Sequence, residues 1–181
     1  MNPGRRRAIG ATVGVAGAAL GAGLAWRQWG AAAGRDDAAQ SLWSMQFERA
    51  DGGKLVMANF RGKPLLINFW ATWCVPCIRE LPALQRFQRE HAAQGWQVIA
   101  LAVDQPVPVL EFINRFKLDL TVALAGVDGL EWQRAMGNDK GGLPFSLVLD
   151  ATGRARQRKL GETTLQDLTR WASEITPKNA R

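Results

Sequence analysis

The sequence predicts an α/β domain in three layers, a central mixed sheet flanked by helices, with an N-terminal hairpin added to the sheet. Three observations predict it. Leu65–Trp70 and Trp96–Val103 are nearly continuous apolar runs, as in strands buried on both faces, and a stretch of 3.6-residue period separates them. That strand–helix–strand order implies parallel pairing through a crossover. Phe145–Leu149 and Arg154–Leu160 flank the turn residues Asp150-Ala151-Thr152-Gly153, which implies an antiparallel hairpin after the parallel unit.

In chain order, residues 30–41 are small and polar and read as a linker. Met45–Phe60 reads as a hairpin turning at Asp51-Gly52-Gly53, and Gly62-Lys63-Pro64 as loop punctuation. After the first buried strand, Val75 to about Ala93 has the helical period, with Leu81, Leu84 and Phe87 on one stripe. Pro76 falls in its first turn, where a missing N–H costs nothing, and Pro82 inside it is expected to kink it. Gly95 ends that helix. Val107–Phe116 reads as a second helix, Thr121–Leu124 as a short strand and Leu130–Met136 as a third helix. Thr163 or Thr164 caps a last helix ending near Ile175. The domain is therefore expected over residues 42–176, with residues 177–181 as a tail.

The first residues read as an address. Arg5-Arg6-Arg7 precede Ala8–Trp26, nineteen residues without a charge; as a helix that length spans ~28 Å, close to a bilayer core. Arginines before an apolar stretch keep the N-terminus cytoplasmic and send the rest across the membrane. Trp26, Trp29 and the pairs Gly10/Gly14 and Gly17/Gly21 favour a retained anchor. Ala31-Ala32-Ala33 offers a signal-peptide cleavage site, and Arg6-Arg7-Ala8-Ile9 suggests twin-arginine export. Residues 1–29 are thus a signal or membrane anchor, and every one of these readings places the domain outside the cytoplasm.

The formal net charge of +7 does not point to nucleic acid. Five arginines precede Asp36, and without them 18 basic residues stand against 16 acidic ones. The remaining basic run, Arg154, Arg156, Arg158 and Lys159, alternates along a strand and reads as a solvated face.

Cys74 and Cys77 are the only cysteines, so no disulfide framework staples the fold and the chemistry rests on one pair. Cys74 follows a buried strand and opens a helix, where unpaired N–H groups and the helix dipole favour the thiolate. Cys77, one turn further on, is placed to attack once Cys74 is in a mixed disulfide. Pro76 pins the turn between them. Trp73 reads either as a cover over the disulfide or as a core side chain.

These residues resemble the exported thiol–disulfide oxidoreductases of the thioredoxin-like TlpA/ResA branch. The resemblance rests on Phe60-Arg61-Gly62-Lys63-Pro64, on Asn68-Phe69-Trp70-Ala71-Thr72-Trp73-Cys74-Val75-Pro76-Cys77 and on Glu80-Leu81-Pro82. Ala102-Val103-Asp104, Gly142-Leu143-Pro144 and Leu147-Val148-Leu149-Asp150 continue it, in order, over about residues 42–175. It implies a thioredoxin-like fold and a cis Pro144 facing the cysteines, with the Leu143 backbone open to pair with an extended substrate. It also implies protein disulfides or dithiols as substrates, among them apo-cytochrome c and copper-site assembly proteins, with an electron donor in the membrane. The chain departs from thioredoxin at Asn68, where thioredoxin carries a buried Asp as proton acceptor for the second cysteine. Glu80, at an acidic position of the branch, is the substitute; the bland alternative is a solvated helix acid. Phe145-Ser146 replaces the commoner Thr-rich version.

The reading is therefore a protein-disulfide reductase working through Cys74 and Cys77, supported by Trp73, Pro76 and Glu80, with no cofactor, metal or nucleic acid. A disulfide-donating oxidase is the same chemistry run backwards, since reduction potential sets the direction. A thiol peroxidase would draw on Thr72 and Arg79, which are poor stand-ins for its usual Thr and Arg. A Cu(I) chaperone would use both thiolates, but the single histidine, His91, lies seventeen positions beyond Cys74 at poor ligand spacing.

Overall fold

The protein was analysed as a computed structural model, which describes residues 39–126 and 128–176. Seven strands form one sheet: β1 (Gln46–Glu48), β2 (Lys54–Val56), β3 (Leu65–Trp70), β4 (Gln97–Ala102), β5 (Thr121–Leu124), β6 (Phe145–Leu149) and β7 (Ala155–Leu160). Among the described residues, and besides the helical residues 39–41, the α-helices that accompany it are α1 (Val75–His91), α2 (Pro106–Phe116), α3 (Gly129–Ala135) and α4 (Leu165–Ile175). The strand order is β2-β1-β5-β4-β3-β6-β7. The central β5-β4-β3 pairings are parallel; β6 runs antiparallel to β3 and carries β7 as a hairpin partner. The β1–β2 hairpin extends the other edge through a single antiparallel pairing of Glu48 with Leu124. The mixed sheet, its flanking helices and the added hairpin match the architecture expected from the sequence.

Strand β3 is the anchor of the sheet, with all six of its residues buried. Because side chains alternate, Leu66 and Trp70 face one side with Leu81, Leu84, Phe87, Val109, Leu168 and Trp171 of α1, α2 and α4. Leu65, Ile67 and Phe69 face the other, against Trp43, Phe47, Met57 and Met136. Burying a side chain of this size is worth ~1.5–3 kcal/mol, so the two clusters hold β3 from both faces.

Four details correct or refine the sequence reading. Residues 39–41, assigned to the linker, are helical, and Ala39 is buried in the second cluster. The second arm of the first hairpin stops at Val56, and Met57–Phe60 form a 3-10 turn that brings Met57 into the core. Helix α1 runs past Pro82 to His91 before a 3-10 turn, Ala92–Gln94, closes at Gly95 with φ 85°, which glycine adopts without penalty. Of the two candidate caps for α4, Thr164 is the one used. Its Oγ1 accepts from the Asp167 N–H (3.2 Å), and Asp167 Oδ2 accepts from the Thr164 N–H (3.1 Å).

Among the described residues no helix is long and apolar enough to cross a membrane. The candidate anchor, residues 8–26, and the tail, 177–181, lie outside the described residues.

Candidate active site

Strand β3 delivers the chain to the edge of the sheet at Trp70, and the turn Ala71–Cys74 leads straight into α1. The Cys74 N–H donates to Ala71 O (3.2 Å). Cys74 is the N-cap of α1, with extended backbone (φ −91°, ψ 99°), and its Sγ accepts from the Cys77 N–H at 3.3 Å. Sulfur replaces the oxygen that normally caps a helix, at the position where dipole and free N–H groups stabilise an anion. The two sulfurs form a disulfide (S–S 2.02 Å, Cα–Cα 5.2 Å). Cys74 is 6% exposed and Cys77 is fully buried. An external thiolate can therefore reach only the Cys74 sulfur without local rearrangement.

The turn is also held from the neighbouring strand. Asp104, just beyond β4, accepts from the Thr72 N–H (2.9 Å) and hydroxyl (2.5 Å) through Oδ2. Its Oδ1 takes the Gln105 N–H at 2.8 Å, at the start of α2. One carboxylate thus ties the approach to Cys74 to the end of a parallel strand. Trp73 is not a core side chain: it is 68% exposed, next in the chain to the nearly buried Cys74, with Val75 also exposed. Trp73 lines an open cleft of about 280 Å³ with Val103, Asp104, Gln105, Gly126 and Leu130.

Behind the disulfide lies a buried polar cluster. Glu80, one turn after Cys77, is 1% exposed, which overturns its reading as a solvated acid. Its Oε1 accepts from Asn68 Nδ2 (2.6 Å) and its Oε2 from the Thr163 N–H (2.5 Å). Asn68 Nδ2 also donates to Ser146 Oγ (3.2 Å), which lies 3.0 Å from Thr163 Oγ1. Burial pushes the Glu80 carboxyl up to about 7, against the opposing pull of the Thr163 N–H and the Asn68 amide. Glu80 therefore exchanges its proton near neutral pH.

The Leu143–Pro144 peptide is cis. Phe145, the next residue, pairs with Phe69 at the far end of β3, so the proline loop sits at the same sheet end as the cysteine turn. Pro144 O is taken by the Gly161 N–H (2.9 Å), and Leu143 is partly buried against both core clusters. Pro76 lies in the first turn of α1.

A family model described as Redoxin matches residues 37–170. The chain belongs to that family. It is 31% identical over 129 residues to "Thiol-disulfide oxidoreductase ResA" of Bacillus thuringiensis (strain Al Hakam), covering 70% of this chain and 72% of the relative. The ResA of Geobacillus kaustophilus (strain HTA426) is 31% identical over 122 residues, covering 67% and 68%. Among solved structures, a thioredoxin-family thiol:disulfide interchange protein from Chlorobium tepidum TLS is 27% identical, with TM-score 0.65 over 72% of this chain and 92% of that one. StoA from Bacillus subtilis is 25% identical, with TM-score 0.57 over 71% and 95%. With its cysteine pair at disulfide distance, this chain is a thiol–disulfide oxidoreductase.

The residues a peroxidase would need are engaged elsewhere in this oxidoreductase. The Thr72 hydroxyl is held by Asp104, and Arg79 pairs with Glu162 at 2.7 Å. His91 ends α1, stacked on Phe87 (ring centroids 4.5 Å) and 3.1 Å from Gln94 Oε1. Sequence reasoning missed Ser146 and Thr163 as parts of the site, and saw Asp104 only as part of a motif. A signal for the first was present: Asn68 and Ser146 are single polar residues in otherwise apolar strands, and β-pairing sets them opposite each other. Thr163 gives no such signal, because only the return of β7 toward α4 brings its N–H to Glu80.

Proposed function

We propose that the enzyme reduces disulfides of proteins outside the cytoplasm, tethered or exported by residues 1–29, and that a membrane-borne dithiol donor regenerates it. The unequal exposure of the two cysteines over a buried acid titrating near neutrality carries this reading. The Cys74 thiolate attacks a substrate disulfide, forming a mixed disulfide and releasing one substrate thiolate. Cys77 then passes its proton to Glu80 and attacks Cys74 Sγ; the enzyme disulfide forms and the second substrate thiolate leaves. The substrate is thereby reduced by two electrons and the enzyme oxidised by two. Trp73 and the Leu143 backbone flank Cys74 as the docking surface for an extended segment. Support for an extracytoplasmic placement comes from Arg5-Arg6-Arg7 followed by the uncharged stretch 8–26. Apo-cytochrome c and copper-site assembly proteins, both thiol-bearing, are the clients implied by the family resemblance.

The deciding experiment is the reduction potential of the Cys74–Cys77 pair, titrated against glutathione. A value near the ~−270 mV of thioredoxin supports a reductant. A value near ~−120 mV, that of a strong oxidant, overturns the direction and makes the enzyme a disulfide donor.

A further inference from the structure

The amide of Asn68 is fully buried, and its two ends are treated unequally. Nδ2 donates twice, to Glu80 Oε1 and Ser146 Oγ, while Oδ1 has no hydrogen-bond partner. A buried carbonyl left unpaired costs about 1–3 kcal/mol, so an acceptor held this way calls for a donor in another state of the protein. Asn68 lies between Leu66 and Trp70 on the sheet face that packs against α1, and those two neighbours belong to the apolar cluster that also holds Cys77 and Leu81. Its contact with Glu80 sets it against the α1 turn that begins at Cys77, three residues earlier and on the same helix face. In the disulfide, Cys77 Sγ carries no proton. When a dithiol donor delivers two electrons and two protons, the S–S bond breaks, the donor becomes a disulfide and Cys77 gains an S–H at this spot.

We propose that Asn68 is a positioning residue for Cys77, its Oδ1 accepting the Cys77 S–H in the reduced enzyme and so favouring the dithiol state. The inference rests on the Cys74–Cys77 cycle. A wild-type chain that will not titrate refutes that cycle, whereas a normal wild type with an unmoved variant refutes only the role of Asn68.

The test is a glutathione redox titration of the full chain at pH 8. Asn68→Leu is expected to shift the equilibrium about three- to tenfold toward the disulfide, up to about 30 mV more negative. Because that change also removes a partner of Glu80, the pair is repeated in a Glu80→Gln background. The shift persists there if Asn68 acts on Cys77 directly, and its disappearance overturns the proposal. A structural role alone would weaken both redox forms equally and leave the potential unmoved. Infrared spectroscopy supplies a second reading that survives if Asn68→Leu fails to fold. In reduced Cys74→Ser the single thiol, Cys77, should show an S–H stretch displaced to lower frequency, and a free-thiol frequency overturns the assignment.

Discussion

Replacing Glu80 by Gln isolates the energetic cost of the buried acid. Its carboxyl lies at about 7 in the fold against 4.5 as the reference, and burial is the largest cause. A rise of about 2.5 units is worth about 3 kcal/mol at ~1.36 kcal/mol per unit. The sign follows from proton uptake: between pH 4.5 and 7 the folded state holds a proton that the unfolded state has lost. The contribution is thus fully present below pH 4.5 and lost as pH rises through 7. Urea unfolding of the oxidised protein from pH 4 to pH 8.5 measures it. Wild type should lose about 3 kcal/mol relative to Glu80→Gln across that range, whatever constant offset the amide brings to its contacts with Asn68 and Thr163. A constant difference between the two proteins at every pH would refute the buried, proton-exchanging acid.

Other perturbations follow from the same geometry. Cys77→Ser should accumulate a mixed disulfide at Cys74, visible by mass as one added substrate chain, while Cys74→Ser should form none under the same conditions. Trp73→Ala, which removes an exposed ring beside Cys74, should lower kcat/KM on protein disulfides about tenfold and leave the potential measured against glutathione unchanged. Thr164→Ala removes the α4 cap and should cost about 1 kcal/mol, read as a lower urea midpoint at constant slope. Gly153→Ala places a Cβ 2.9 Å from Trp43 Nε1 at a φ of 82°, so it should destabilise by at least ~1 kcal/mol in the same assay.

Much of this protein was legible in the amino-acid order, because local physics set it. The wholly apolar run Leu65–Trp70 can only be a central strand, and a cysteine at the first turn of the following helix can only meet that helix's free N–H groups. Spacing alone brought Cys74 and Cys77 within reach of one another. The polar cluster behind them was not legible, because its members come from β3, α1, β6 and the segment before α4, and nothing local links them. The family resemblance offered Glu80 as the proton acceptor, but the helix pattern alone left it equally readable as a solvated acid; the closed fold buries it and raises its proton affinity. Asp104 and Thr72 meet only through the parallel pairing of β3 with β4. Thr163 is drawn into the buried cluster, its N–H on Glu80 and its hydroxyl 3.0 Å from Ser146 Oγ, while the Thr164 hydroxyl caps α4. The sequence by itself determined the redox pair, its helix and the strands that carry them, since those depend on neighbours a few residues apart. Tertiary structure alone decided which cysteine is reachable, that Trp73 stands in solvent and that Glu80 holds its proton near neutrality, since burial is a property of the closed fold.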